Sequence, residues 1–318
     1  MSGPVSTDDV LPDPGRDEAL SCDLEIIEGR VADVGGFDVR RVLPRRARRT
    51  VGSWCFVDLM GPGEVRDGAG MDVGPHPHIG LQTVTWLLDG AVLHRDSLGS
   101  EQVIRPGQLN VMTAGRGVSH SEETTGVHAG RLQGVQLWVA QPSGTRDGDP
   151  DFGHHADLPR LELDHATATV LVGSFGGAAS AARRDTDHVG VELALRPGRT
   201  VVPLHRGHEY AVVPLEAEVT IGPHRLAVGQ LGYLGVEHDE VPIDAEVPTR
   251  LMLLGGQPFP EPLLMWWNYV ARTREEIIAA HDDWSAGAAR FGTVASPLSR
   301  IDTAGPPWPR PAGRDGPK

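Results

Sequence analysis

The chain has 318 residues, a mass of 34.1 kDa and a formal net charge of −14. No stretch approaches the roughly 18 uninterrupted apolar residues of a helical membrane span, the acidic opening MSGPVSTDDVLPD lacks the basic start and apolar core of a secretory signal, and the negative balance disfavours direct binding to nucleic acid. Two cysteines, Cys22 and Cys55, exclude a disulfide scaffold and a four-thiolate zinc site, so a cytoplasmic location is expected.

In chain order, residues 1–22 are polar, carry Pro4, Pro12 and Pro14, and read as a flexible tail. Strand-like runs follow at 24–34, 81–90, 135–140, 168–175, 208–222 and 250–256, each bounded by Gly, Pro or Asp. The 40 Gly and 26 Pro punctuate these runs, a pattern of short strands and tight turns that predicts an all-β sandwich or barrel. Segments 87–115 and 213–235 both read as strand, turn, strand, turn, strand. They pass through Gly107-Gln108-Leu109 and Gly229-Gln230-Leu231, which suggests an internal duplication with a boundary near 141–160. One helix is predicted: Thr273 and Glu276 have the capping-box spacing. Ile277, Ala280 and Trp284 then share a face, and Gly287 is a stop. Residues 305–318 form a second Pro- and Gly-rich tail, in which Trp308 is a candidate to dock on the surface.

The chemistry concentrates in two short motifs. His76-Pro77-His78 places two imidazoles at i and i+2, on one face of a strand. His120-Ser121-Glu122 repeats that spacing after Gly115-Arg116-Gly117. On neighbouring strands the two pairs would bring three imidazoles and one carboxylate together, a donor set suited to a divalent transition metal with open positions. The competing reading is two polar strand faces without a metal. His205, His208 and Glu209 do not share a strand face, so no second metal is expected, and His154-His155 reads as a solvated linker. Cys55, in the apolar run WCFVDL, reads as core. The single lysine is Lys318, so no P-loop is possible, and no His-Glu-x-x-His motif occurs.

The segments HPHIGLQTVTWLLDG (76–90) and PGQLNVMTAGRGVSHSE (106–122) resemble the N-terminal signature of the pirin family, within the bicupin superfamily. Residues 255–284, GGQPFPEPLLMWWNYVARTREEIIAAHDDW, are similar to its C-terminal region. The resemblance implies two tandem cupin β-barrels of jelly-roll type with a C-terminal helix. A metal-binding N-terminal barrel would span 23–145, a C-terminal barrel plus helix 155–292, and a flexible tail 305–318. It also implies one metal per chain, held by His76, His78, His120 and Glu122 and usually iron, although manganese, cobalt, nickel, copper or zinc would suit these donors.

Some family members have quercetin 2,3-dioxygenase activity, and some animal members regulate transcription. The resemblance therefore implies a cytoplasmic oxidoreductase that uses dioxygen on a flavonol-like or other small phenolic substrate. Glu122 would be both ligand and catalytic base. The alternative is a non-enzymatic, metal- or redox-sensing regulator that binds a protein partner. A monomer is expected, because the duplicated barrel supplies internally the pairing that other cupins obtain by dimerising. Gln82 stands where most members have Glu, and Gln82 and Arg116 are candidates for the pocket or the groups around the metal. Met112 and Trp86 are assigned to the barrel interior. Residues 266–271, WWNYVA, depart from the family's usual GPFVMN.

Overall fold

The computed structural model describes residues 24–66 and 69–309. The expected tail at 1–22 and the last nine residues of the tail at 305–318 lie outside the described residues. The chain forms two β-barrels of the cupin type on one plan, each a seven-stranded sheet with a four-stranded one, all pairings within them antiparallel.

In the first barrel the seven-stranded order is Asp151–His155, Leu109–Thr113, Leu81–Asp89, Gly130–Ala140, Trp54–Val65, Phe37–Leu43 and Arg30–Val34. Its four-stranded sheet runs Val73–His78, Val118–Glu123, Val92–Asp96 and Glu101–Ile104. In the second barrel the long sheet runs Glu25–Glu28, Gln230–Gly235, Glu209–Pro214, Thr249–Gly256, His188–Leu195, Ala166–Val172 and Arg160–Leu163. The short sheet there is Gly198–Pro203, Glu240–Ala245, Val219–Ile221 and His224–Leu226.

The duplicated Gly-Gln-Leu is visible atom by atom. Gly107 and Gly229 hold φ of 85° and 88°, which glycine adopts without a Cβ penalty. Each following glutamine closes the turn with its side chain. Arg105 N–H donates to Gln108 Oε1 at 3.0 Å, and Ala227 N–H to Gln230 Oε1 at 2.8 Å.

Two edge strands join sheets that their position in the chain does not suggest. Glu25–Glu28 joins the second barrel through Gln230–Gly235, although it precedes the first. Asp151–His155 pairs with Leu109–Thr113 at the edge of the first barrel. His154 and His155 are therefore half-buried strand residues rather than solvated linker, and His154 Nδ1 lies 2.7 Å from Asn110 Oδ1.

The two long sheets pack face to face. Val84, Trp86, Leu88 and Leu137 of the first meet Ala211, Val213, Met252 and Leu254 of the second in one apolar cluster. Trp54 crosses this interface, its Nε1 donating to the carbonyls of Val189 and Gly255, each at 3.1 Å. The period-two alternation of Leu81–Asp89 sends Gln82, Val84, Trp86 and Leu88 to the interface, and Leu81, Thr83, Thr85 and Leu87 to the barrel interior. Trp86 is thus between the barrels and not inside one, whereas Met112 packs in the first barrel with Cys55, Leu81 and Val118.

After the second barrel the chain returns to the first. A hairpin of Leu264–Trp266 and Tyr269–Ala271 docks beside Ile79, with Val270 N–H donating to the Ile79 carbonyl at 3.1 Å. Gly80, at φ 66°, is required there because any Cβ would collide with the Val270 carbonyl. The helix Arg274–Ser285 follows, with Thr273 Oγ1 accepting from Glu276 N–H at 3.2 Å as the capping spacing predicts. Ile277, Ala280 and Trp284 are buried against Ile79 and Tyr269, and Gly287 leaves the helix at φ 69°. Trp308 packs against this cluster, under the Arg274 guanidinium.

Candidate metal centre

The four-stranded sheet of the first barrel brings the two sequence motifs together. His120 is the register partner of His76, and His78 lies two residues further along the same face. All three imidazoles are buried, and a ligand nitrogen from each lies within 4.8 Å of the others. His78 Nε2 and His120 Nε2 are 3.0 Å apart.

Backbone carbonyls set two of the tautomers. His76 Nδ1 faces the Gly74 carbonyl at 2.9 Å, and His78 Nδ1 faces the Asn268 carbonyl at 3.0 Å. A carbonyl only accepts, so each Nδ1 carries the proton and each Nε2 keeps its lone pair. Burial also holds the rings neutral. It lowers His76 to about 4 and His78 and His120 well below the usual histidine range.

His120 is oriented by a side-chain chain that the sequence reading overlooked. Its Nδ1 lies 3.4 Å from His94 Nδ1, and His94 Nε2 lies 3.0 Å from Asp96 Oδ2. Asp96 Oδ1 accepts from the N–H groups of Leu98 and Ser100, each at 2.9 Å. Burial would raise the Asp96 carboxyl, but hydrogen bonds from His94 and Ser100 outweigh it and hold the group below its usual range. The ionised Asp96 takes the His94 Nε2–H, His94 Nδ1 takes the His120 Nδ1–H, and His120 Nε2 is left free. The signal was present in the sequence: His94-Arg95-Asp96 repeats the His-x-acid spacing of His120-Ser121-Glu122.

The ladder is irregular between His120 and Glu122, so Glu122 pairs with Val73 on one side and His94 on the other. Its buried carboxyl is raised by desolvation, offset in part by a hydrogen bond from Gln136. Thr85 Oγ1 in turn donates to Gln136 Oε1 at 2.8 Å. Glu122 thus lines the same cavity as the three histidines, while the group within mutual ligand reach is His76, His78 and His120.

Three neutral imidazoles with convergent lone pairs fit a divalent cation. His78 Nε2 and His120 Nε2, 3.0 Å apart, are near enough for both to bind one ion. Imidazole donors suit iron, nickel, copper and zinc. Above them opens a cavity of about 520 Å³, the size of a small-molecule site. Its walls are largely apolar, with Met60, Met71, Trp138, Met265, Trp266 and Trp267. Arg41 reaches it while bound to Asp58 through two hydrogen bonds of 2.8 and 2.7 Å.

Other candidates lie elsewhere. Gln82 points to the interface and donates to Thr113 Oγ1 at 2.9 Å and the Arg183 carbonyl at 3.4 Å, because its parity is that of Val84 and Trp86. Arg116 pairs with Asp149 on the surface and does not line the cavity. His205 and His208 have ring centroids 4.5 Å apart, but among the described residues only His76, His78 and His120 form a three-ligand group. The corresponding short sheet of the second barrel carries Val202, Val241 and Ile243 inward, so that barrel is filled. Cys55 is buried and its thiol is pushed up to about 12, as expected of an inert core cysteine. Residues 266–271 acquire a role that their departure from the family pattern had left open: they form the hairpin whose Asn268 carbonyl orients His78.

Comparison with known proteins agrees with this fold. Residues 36–139 match the Pirin family model, and residues 190–292 match that of the Pirin C-terminal cupin domain. A Pseudomonas aeruginosa protein named "Putative quercetin 2,3-dioxygenase" is 42% identical over 298 residues, covering 93% of both chains. A pirin-like protein of Caulobacter vibrioides is 38% identical over 273 residues, covering 84% of this chain and 94% of the relative. The crystal structure of a quercetin 2,3-dioxygenase from Acinetobacter baumannii superimposes with a TM-score of 0.87 at 39% identity, covering 90% of this chain and 97% of that one.

Proposed function

The chain belongs to the pirin family, and we propose that it is an iron-dependent dioxygenase acting on flavonol-like or other small phenolic substrates. The observation that carries this reading is the convergence of three neutral Nε2 atoms on a largely apolar cavity with a separately buried carboxyl beside them. The relatives named quercetin 2,3-dioxygenases support the choice of reaction.

His76, His78 and His120 hold the metal, and Glu122 is placed to complete the set or to act on the substrate. Bound iron would acidify a phenolic hydroxyl and bring the substrate and dioxygen together. Glu122 accepts the hydroxyl proton on its carboxylate, which burial makes a stronger base than an exposed one. Gln136, itself held by the Thr85 hydroxyl, aims that carboxylate. Trp138 and the methionines exclude water from the substrate's apolar face. We place the reaction in the cytoplasm, carried out by a monomer; among the described residues no helix is long and apolar enough to cross a membrane.

Oxygen uptake by iron-loaded protein with quercetin tests the reading. Wild type is expected to consume both, and Glu122→Gln to lose about 100-fold or more in rate. Iron-loaded wild type that consumes no oxygen with any flavonol would sink the enzymatic reading and favour a metal-dependent regulator of a protein partner. Unchanged turnover in Glu122→Gln would remove Glu122 from the mechanism.

A further inference from the structure

The hairpin beside the metal centre closes through an unusual residue. Trp266 pairs with Tyr269, so its turn consists of Trp267 and Asn268 alone. Two-residue hairpin turns demand positive φ at their first position, and where the second is not also positive, as here, glycine is the usual first residue. Trp267 stands there with φ 51°. Among the described non-glycine residues only His165 shares this sign of φ, and it lies in an exposed turn of the second barrel. A bulky aromatic in the left-handed region marks a conformation held by its surroundings, and such positions cluster at ligand sites.

Packing and a close backbone approach hold it. The Trp267 ring packs edge-on against Tyr269, at 5.5 Å and 90°, and Tyr269 is fully buried. The next residue, Asn268, offers its carbonyl to His78 Nδ1. Gly80 allows the hairpin to approach the strand end that carries His78. The turn therefore orients a metal-site histidine and presents an indole to the same cavity. A second aromatic surface reaches that cavity from the long sheet: Trp138, stacked on Phe56 at 4.0 Å and 14°. Trp138 lies edge-on to His78, at 5.2 Å.

We propose that Trp267 is the specificity-determining residue of this site, its indole selecting planar, multi-ring phenols over single-ring ones by stacking on the part of the substrate remote from the metal-site histidines. The proposal rests on the functional reading above for the choice of phenols. Its content is the division of labour: the histidines meet the hydroxyl-bearing end, which both ligand sizes share, and Trp267 meets the rings that only the larger ligand has. A glycine at 267 would suit the turn better, so the indole is retained against the local backbone preference.

The test uses the full metal-loaded chain under anaerobic conditions, so that binding is read without turnover. Calorimetric titration with quercetin and with catechol is run on wild type, Trp267→Gly and Trp267→Phe, beside metal content and thermal midpoint. Trp267→Gly is expected to keep its metal, because the group facing His78 is the Asn268 backbone carbonyl and glycine suits the turn. It should bind quercetin about ten-fold more weakly and catechol within about two-fold of wild type, with Trp267→Phe between for quercetin. Wild-type quercetin affinity in Trp267→Gly, equal loss for both ligands, or a wild type that does not bind quercetin overturns the proposal. Wild type that binds quercetin with this discrimination but consumes no oxygen refutes the dioxygenase reading and leaves the role of Trp267 standing.

Discussion

His94→Phe removes both nitrogens of the link between Asp96 and His120 while keeping its ring. The ring stacks on Phe152 at 4.4 Å and 12°, a contact phenylalanine retains. His120 Nδ1 loses its neighbour at 3.4 Å, so nothing fixes which nitrogen of His120 carries the proton. Asp96 loses the donor on Oδ2 at 3.0 Å but keeps the two backbone N–H groups on Oδ1. Loss of such an outer partner typically weakens metal affinity by about 10–100-fold, or about 1.4–2.7 kcal/mol. The unsatisfied Asp96 oxygen destabilises the metal-free fold by a further amount, about 1–3 kcal/mol. Competition for cobalt or zinc against a chelating dye at neutral pH reads the first quantity, and thermal unfolding of the metal-free protein reads the second. Asp96→Asn, which can still offer an oxygen to His94, should fall between wild type and His94→Phe in affinity. His94→Phe with wild-type metal affinity would refute the argument that this chain orients His120.

Further predictions concern the frame around the site. His188 lies between the barrels, edge-on to Trp54, and burial lowers it to about 4. The unfolded chain takes up this proton below about 6.5 and the folded one does not, so the contribution is complete above 6.5 and is lost as pH falls toward 4, by about 3 kcal/mol. In metal-loaded protein the thermal midpoint should therefore fall less steeply with acid in His188→Phe than in wild type; equal slopes would contradict this. Gly80→Ala should cost more than about 1 kcal/mol in denaturant unfolding, because it adds a Cβ at positive φ against the Val270 carbonyl; an unchanged midpoint would show that the hairpin is not tightly docked. Thr273→Ala should cost about 1 kcal/mol through the lost helix cap, read in the same assay.

The parts of this molecule that were legible in the sequence are those set by short-range periodicity. The i, i+2 spacing of His76 and His78, the Thr273 cap and the repeated Gly-Gln-Leu turn each need only a few neighbouring residues. Gln82 and Trp86 show where this ends. Alternation places them on one face with Val84 and Leu88, but which face is the inside depends on the second barrel packed against it. His94 and Asp96 carried the same spacing as the recognised motifs. Their role depends on Val92–Asp96 pairing beside Val118–Glu123, a choice that spacing alone does not make. The Asn268 carbonyl reaches His78 from 190 residues away, and Glu25–Glu28 pairs with a strand about two hundred residues later. Such long-range pairings are properties of the assembled barrels.

The proposed function depends on one transition-metal ion held by His76, His78 and His120. Elemental analysis of freshly purified protein beside His120→Ala, each then assayed for oxygen uptake with quercetin, tests it most directly. Close to one metal per chain is expected in wild type, with metal and oxygen uptake lost together in the variant. Wild-type protein that stays metal-free after anaerobic iron loading would contradict it.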